Sequence, residues 1–195
     1  MSVVYQDNIL NEMILKNGLS NRIVDLNEGF DENSIYKCIY LLEKIVLLDD
    51  KEDKPIEERE PITIRINSYG GYCYELWSII GVVESLKQRG YIINTVCMGK
   101  AMSCGFILFC AGVNRKMYKC STLMYHSVSS GAYGKVSELE DNLKETQRLN
   151  DMAKEYVVAN TNITMEKLEE MDKFKMDWYM GSDEALSLGV ATEIL

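Results

Sequence analysis

The chain has 195 residues, which is enough for one domain of ordinary size and too short for two. Hydrophobic residues make up 47% and charged residues 26%, a balance that indicates a globular protein with a substantial core and excludes a disordered chain. With 21 basic against 30 acidic residues the net charge is −9, which disfavours a nucleic-acid or anionic-membrane partner. No stretch is long and apolar enough to span a bilayer, and residues 1–20 lack the pattern of a signal peptide.

The cysteine and histidine content argues against a metal site. Six cysteines are scattered with no C-x-x-C pair, and the chain holds a single histidine, His126. We therefore predict no metal and no cofactor, and expect reduced, mostly buried thiols in a cytoplasmic protein.

The apolar pattern predicts strands and helices that alternate along the chain. The predicted strands are 22–26, 62–66, 92–98, 122–125 and 190–195. The predicted helices are 34–48, 75–89, 103–110, 135–159 and a short one capped by Ser182. Between them, 49–61 is charge-dense, holds both prolines and is predicted to be a solvated loop. Serial strand–turn–helix units indicate an α/β fold with a largely parallel sheet.

Four short segments contain residues that could carry chemistry. Ser103 lies where a strand turns into a helix, a position that suits either a nucleophile or an ordinary helix cap. His126 ends the run Leu-Met-Tyr and is either a packed histidine or a general base. Gly70-Gly71 makes either a simple turn or a strip of open main chain with an N–H donor. Asp177 is either a solvated carboxylate or the partner of an imidazole.

Taken together, these segments resemble the proteolytic subunits of the Clp protease, which are serine peptidases of the ClpP/crotonase-like fold. The segments that carry the resemblance are INSYGG at 66–71, CMGKAMSCG at 97–105, MYH at 124–126 and DWYMGSDEALSLG at 177–189. The resemblance runs from about residue 20 to the C-terminus and is clearest from residue 62 onward. It implies a mainly parallel sheet with flanking helices and a protruding strand–helix handle. It also implies an N-terminal segment at 1–20 that lines an axial pore, and a single protease domain at 21–195.

The resemblance also assigns roles to individual residues. Ser103 is the implied nucleophile, His126 the general base and then acid, and Asp177 the carboxylate that orients the imidazole. The implied oxyanion hole consists of the backbone N–H groups of Gly71 and Cys104. The implied main-chain contacts to an extended substrate come from Gly70, Gly71, Ser127 and Val128.

The implied function is endopeptidase cleavage of unfolded peptide inside a self-compartmentalised homo-oligomer, a seven-membered ring that an AAA+ unfoldase could feed. Tyr69 stands where the family has proline, Met176 where it has arginine and Lys135 where it has glutamine. The last two positions belong to contacts between rings, so the sequence leaves open whether two rings stack. It also leaves open the natural substrates and whether the role is cellular or in viral capsid maturation.

Three other hypotheses account for parts of the pattern. The chain could be a non-catalytic ring subunit with a misaligned triad, since Met176 and Lys135 alter an interface. It could be a crotonase-type acyl-CoA enzyme, which uses paired oxyanion donors on the same fold. It could also be a serine–lysine peptidase that uses Lys100, although His126 would then have no function.

Overall fold

The computed structural model describes the backbone of residues 2–195 and the side chains from Glu12 onward. The helices are α1 (Ser2–Asn21), α2 (Glu32–Lys51), α3 (Cys73–Gln88), α4 (Cys104–Cys110), α5 (Val136–Asn160), α6 (Met165–Phe174) and α7 (Ser182–Ser187), with a 3₁₀ turn at Ile56–Glu58. The strands are β1 (Ile23–Leu26), β2 (Ile62–Ser68), β3 (Ile93–Met102), β4 (Arg115–Met117), β5 (Thr122–Tyr125), β6 (Trp178–Met180) and β7 (Glu193–Ile194). The predicted axial-pore role of 1–20 falls mostly on residues whose side chains lie outside this description, and it stays a prediction.

The seven strands form one sheet that branches at β3. β1, β2 and β3 are parallel neighbours, and β3 then pairs with two further strands along its length. Its first half pairs with β4, which continues to β7, and its second half pairs with β5. Among the described strands, the β5–β6 ladder is antiparallel and the other ladders are parallel. The prediction of a mostly parallel α/β sheet flanked by helices is therefore confirmed.

The core lies where α3 and α4 cover the central strands. Ile62, Ile64 and Ile66 point from one face of β2 into this core, as their spacing of two residues predicted. All seven residues of α4 are buried, which explains why this helix is apolar on every side. α4 thereby provides a fixed base for Ser103, the residue that precedes it.

The strand β3 is longer than its predicted range of 92–98. It continues through Gly99 to Met102 because β5 takes over as hydrogen-bonding partner where β4 ends. The extension carries the chain directly to Ser103. The change of pairing partner from β4 to β5 could not be predicted from the local sequence pattern.

Other predicted boundaries also needed correction. The short β4 and β6 and the helix α6 were not predicted. The segment 49–61 is not all solvated loop, because α2 runs to Lys51 and Asp49 is buried against Arg22, with both N–O distances at 2.8 Å. The predicted last strand shrinks to β7, and Ser182 is the first residue of α7, whose cap is Gly181.

The predicted handle is present as a helix without its strand. The N-terminal half of α5 is exposed to solvent, and residues 126–135 form neither helix nor strand. Exposed apolar side chains on this half are those of Val136, Leu139 and Leu143. Within residues 2–195, no helix combines the length and the hydropathy needed to cross a bilayer.

Candidate active site

Ser103 adopts a strained backbone conformation at the junction of β3 and α4. Its φ of 54° and ψ of −120° lie in a region that residues with a side chain rarely occupy. The conformation is held from both sides: the Ser103 N–H donates to the Met124 carbonyl at 2.9 Å, and the Ser103 carbonyl accepts from Phe106 at 3.0 Å. Such strain, maintained by fixed neighbours, is typical of functional positions.

His126 is the hydrogen-bonding partner of the Ser103 hydroxyl. Its Nε2 lies 2.8 Å from Ser103 Oγ. The two residues meet because β3 and β5 are adjacent and parallel, so that the residues following the two strands lie at the same edge of the sheet. When the hydroxyl donates to Nε2, the imidazole carries its own proton on Nδ1. This is the arrangement of a nucleophile and its general base.

Asp177 lies across from His126, at the end of the neighbouring strand, but does not hydrogen-bond to it. In the antiparallel β5–β6 ladder Trp178 pairs with Tyr125, and one further step of the same register sets Asp177 opposite His126. The Asp177 side chain is nevertheless exposed, and within the described part of the chain no carboxylate hydrogen-bonds to the imidazole. The structure thus brings together Ser103 and His126, and it leaves Asp177 as a neighbour in register only.

Gly70 and Gly71 form a close-packed strip in front of Ser103. A Cβ on Gly70, whose φ is 101°, would lie 2.7 Å from Ser103 Cβ and 3.1 Å from the Cys104 nitrogen, so only glycine fits. A Cβ on Gly71 would collide with the Phe30 backbone, whose N–H donates to the Gly70 carbonyl and whose carbonyl accepts from the Tyr72 N–H.

The main-chain polar groups of this strip differ in whether they already have a hydrogen-bonding partner within the protein. The N–H of Gly70 donates to Ser68 Oγ and its carbonyl accepts from Phe30, so both polar groups are engaged. The N–H groups of Gly71 and Cys104, by contrast, donate to no protein acceptor in the described residues. Two unpaired donors beside a serine hydroxyl are what an oxyanion requires. Of the predicted substrate contacts on this side, Gly71 is thus better placed than Gly70.

A narrow cavity of about 30 Å³ opens beside the serine and the imidazole. Its walls come from α3, α4, α5 and the segment after His126. The lining residues besides Ser103 and His126 are Cys73, Leu76, Trp77, Cys104, Ile107, Val128, Leu149 and Ala153. The apolar walls and small size suit one small apolar side chain.

The other predicted substrate contacts, Ser127 and Val128, follow His126 directly. Both residues are half-buried, but the Val128 N–H donates to the side-chain oxygen of Asn150 at 2.8 Å. That amide in turn donates to Asp172 at 2.9 Å, and Lys154 lies 3.3 Å from the same carboxylate. This chain of contacts fixes the segment after His126 to α5 and α6.

Two buried polar atoms, Tyr125 Oη and Asp172 Oδ1, have no hydrogen-bonding partner among the residues that the structure describes. Burial, and secondarily the negative charge of nearby Asp172, raise the pKa of the Tyr125 hydroxyl. Asn150 and Asp172 were missed in the sequence, since nothing in a helical pattern distinguishes them from solvated residues.

Lys100 is occupied elsewhere. Its ammonium group lies over the Tyr69 ring, 4.1 Å from the centroid, and the Ser103 hydroxyl bonds to His126. This geometry disfavours the serine–lysine hypothesis. Nowhere in the described part of the chain do three or more histidine, cysteine or acidic side chains come together as a metal site.

Comparison with known proteins gives one consistent result. A family model described as Clp protease matches residues 7–195. An ATP-dependent Clp protease proteolytic subunit of Dehalococcoides mccartyi (strain CBDB1) is 29% identical over 180 residues, covering 91% of this chain and 83% of that protein. The ATP-dependent Clp protease proteolytic subunit 2 of Bacillus licheniformis is 27% identical, with 91% and 87% covered. The corresponding subunit of Deinococcus radiodurans is 27% identical over 157 residues, with 80% and 72% covered.

Proposed function

This chain belongs to the Clp protease family, and from that membership and the site geometry we propose that it is a serine endopeptidase that cleaves unfolded peptide through an acyl-enzyme. The single observation that carries the mechanism is the contact of 2.8 Å between Ser103 Oγ and His126 Nε2 beside two unpaired N–H groups.

In the first half of the reaction, His126 Nε2 takes the proton of the Ser103 hydroxyl as Oγ attacks the peptide carbonyl. The N–H groups of Gly71 and Cys104 stabilise the oxyanion that forms. The imidazolium then donates its proton to the leaving amine, and the acyl group remains on Ser103. In the second half, His126 activates water by the same exchange, and the acyl-enzyme is hydrolysed.

The proposal requires Asp177 to turn toward His126 Nδ1 in the working enzyme. In support, the last pair of the β5–β6 ladder is Tyr125 with Trp178, and His126 and Asp177 each lie one residue beyond it. The change that we propose is a side-chain rotation at this exposed residue, without a change of fold. The carboxylate would then hold the imidazole in the tautomer that accepts from Ser103.

The proposal includes a ring of identical subunits and an ATP-driven unfoldase as partner. It is supported by the relatives' printed names, which describe ATP-dependent proteolytic subunits, and by the exposed apolar side chains on α5. The six free cysteines agree with a reducing compartment such as the cytoplasm.

The proposal is tested with a fluorophosphonate probe, which acylation-competent serines bind covalently, and with hydrolysis of an unfolded protein substrate. We expect Ser103→Ala to abolish labelling and to lower kcat/KM by about 10⁴-fold or more. The matched control is Ser129→Ala, which removes an exposed serine hydroxyl from the nearby loop. Hydrolysis that survives Ser103→Ala would disprove the proposal.

A second candidate is a non-catalytic ring subunit, and the exposed position of Asp177 favours it. It predicts a stable oligomer in which Ser103 is never labelled by the probe. Size measurement and labelling on the same preparation therefore separate the two functions.

A further inference from the structure

The last turn of α6 determines where the chain enters β6. At the end of this helix Lys175 takes the left-handed conformation, with φ of 51° and ψ of 47°. The Lys175 N–H donates to the Asp172 carbonyl at 3.1 Å, and the Met176 N–H donates to the Met171 carbonyl at 3.1 Å. These two bonds close the helix end. Asp177 is the next residue, so its backbone position follows the position of this turn.

The Asp172 side chain joins this turn to α5. Its Oδ2 accepts from Asn150 Nδ2 at 2.9 Å and lies 3.3 Å from Lys154 Nζ. Asn150 and Lys154 are about one turn apart on α5. The second oxygen, Asp172 Oδ1, is buried without a partner in the part of the chain that the structure describes. The contacts that hold this carboxylate therefore come from α5.

The ion pair of Lys154 and Asp172 is largely shielded from water. The two side chains are 12% and 21% exposed. The attraction between two charges is stronger where water is excluded, so this pair is held more firmly than an exposed one. By contrast, Lys144 and Asp141 on the same helix form a pair in which both side chains are exposed. Removal of one partner of the shielded pair leaves the other charge partly buried and uncompensated.

The same turn of α5 also holds the segment that follows His126. The Val128 N–H donates to Asn150 Oδ1 at 2.8 Å, while the amide of the same residue donates to Asp172. Val128 lies two residues after His126, and Asp172 lies five residues before Asp177. One side of α5 is thus bonded to the chain on the way out of β5 and on the way into β6.

We propose that Lys154 and Asp172 are positioning residues for the pair of His126 and Asp177. They hold the end of α6 where the Asp177 carboxylate can reach His126 Nδ1. The inference rests on the proposed function, in which that carboxylate orients the imidazole. Because a misplacement of about 1 Å can cost about 10²-fold in rate, we expect loss of the ion pair to lower kcat by this factor. KM should change little, since neither residue lines the cavity beside Ser103.

The experiment measures kcat and KM for peptide hydrolysis by the assembled protein and its variants. Asp172→Asn keeps the shape of the side chain and removes its charge, and Lys154→Met removes the charge of the partner. We expect each to lower kcat by about 10²-fold with KM nearly unchanged. Lys154→Arg keeps the charge and should retain most of kcat. The matched control Lys144→Met removes an exposed lysine of the same helix, 3.4 Å from Asp141, and should keep the original values.

A combined variant distinguishes positioning from a general loss of packing. If the ion pair acts through Asp177, Asp172→Asn should lower kcat no further in a chain that already carries Asp177→Asn. Two independent effects would instead multiply, and that result would overturn the inference. Circular dichroism checks that each variant is folded, and Lys154→Met replaces Asp172→Asn in the combination where the latter does not fold.

Failure of this inference is distinguishable from failure of the proposed function. A normal kcat in Asp172→Asn and Lys154→Met, in a protein whose Ser103 is labelled by the fluorophosphonate probe, would overturn the positioning role alone. Hydrolysis that survives Ser103→Ala would remove the proposed peptidase and this inference with it. An original chain that neither hydrolyses peptide nor is labelled would do the same.

Discussion

His126 and Asp177 illustrate how a main-chain register can specify a pair of side chains that are not yet in contact. Both residues lie one position beyond the last pair of the β5–β6 ladder, whereas in the described part of the chain no hydrogen bond holds the exposed carboxylate of Asp177. A bound peptide or a neighbouring subunit would exclude water from this edge of the sheet. A hydrogen bond between carboxylate and imidazole is stronger when water is excluded.

We expect Asp177→Asn to lower kcat by about 10⁴-fold, because the amide can stabilise the wrong tautomer of His126 and no imidazolium. The measurement is steady-state hydrolysis of a peptide with the pH profile of kcat. Asp183→Asn, at an exposed acid of the first turn of α7, is the matched control and should keep the original rate. A normal rate in Asp177→Asn would show that the imidazole works without this carboxylate.

Trp77 limits the size of the cavity beside Ser103. Its half-buried ring packs edge-on against Tyr156, with 5.9 Å between the ring centroids. In a cavity of about 30 Å³, a methyl-sized side chain fits and an aromatic ring does not. The proposed enzyme should therefore cleave preferentially after small apolar residues.

We expect Trp77→Ala to shift this preference toward large apolar residues. The measured quantity is the ratio of kcat/KM for two peptides that differ only in phenylalanine or alanine before the cleaved bond. The ratio should rise by roughly 10–10²-fold, the range that apolar pockets provide. Trp178→Ala, outside the cavity lining, should leave the ratio unchanged even where it lowers both rates. An unchanged ratio in Trp77→Ala would place the specificity elsewhere.

At the scale of single residues, the sequence predicted some contacts and missed others for a physical reason. The roles of Ser103 and His126 were predicted from the resemblance to the Clp protease family, because a strand-end position alone also suits a helix cap or a packed histidine. Four other residues of the site could not be predicted, because their roles depend on which helix faces pack against each other. These residues are Cys73, Trp77, Asn150 and Asp172. Such packing leaves no mark in the local pattern of any one helix.

Among the elements, α5 contributes most to holding the segment that follows His126. Asn150 accepts from the Val128 N–H and donates to Asp172, so one side chain joins a loop to two helices. Near the start of α3, Tyr74 donates to Glu145 of α5 at 2.8 Å, which ties a second wall of the cavity to the same helix. The position of α5 therefore sets the width of the proposed substrate cleft.

We expect Asn150→Ala to lower both stability and activity. It leaves the Val128 N–H without a partner and removes one of the two donors to Asp172 Oδ2, the other being Lys154, which costs about 1–3 kcal/mol in the free energy of unfolding. Chemical denaturation measures that cost, and kcat/KM should fall because His126 is less well held. Asn142→Ala is the matched control on the same helix, since its amide bonds only to the Glu138 carbonyl one turn away. If Asn150→Ala matched this control in both measurements, the tie to α5 would be irrelevant to the site.

Helices and strands with a strong local sequence pattern were predicted, and those with a weak one were missed. The strand β5 at Thr122–Tyr125 and the helix α3 end at or near their predicted limits, because turn residues or glycine lie at their ends. An example is Gly90 after α3, with a φ of 92°. β4 and β6 have three residues each and exist only through pairing with distant strands. α6 was missed because its charged face dominates a short sequence, with only Leu168 and Met171 buried.

At the scale of the whole molecule, the exposed half of α5 carries a stripe of apolar side chains that the single chain does not bury. Val136, Leu139 and Leu143 recur at spacings of three and four residues and so lie along one face, with Leu143 58% exposed. Exposure of this apolar stripe to water does not stabilise the single chain. In the proposed ring assembly, the stripe packs against another copy of the chain.

We expect Leu143→Glu to shift the particle to smaller assemblies while leaving the fold of each chain intact. A carboxylate in an apolar contact must be desolvated, and the exposed position in the single chain imposes no such cost. Native mass spectrometry and sedimentation velocity report the number of subunits, and circular dichroism reports the fold. Asn142→Glu adds the same charge beside the stripe and should keep the original particle. A full-sized particle in Leu143→Glu would show that α5 does not mediate assembly, whereas a small particle with peptidase activity intact would show that each site works without its neighbours across this helix.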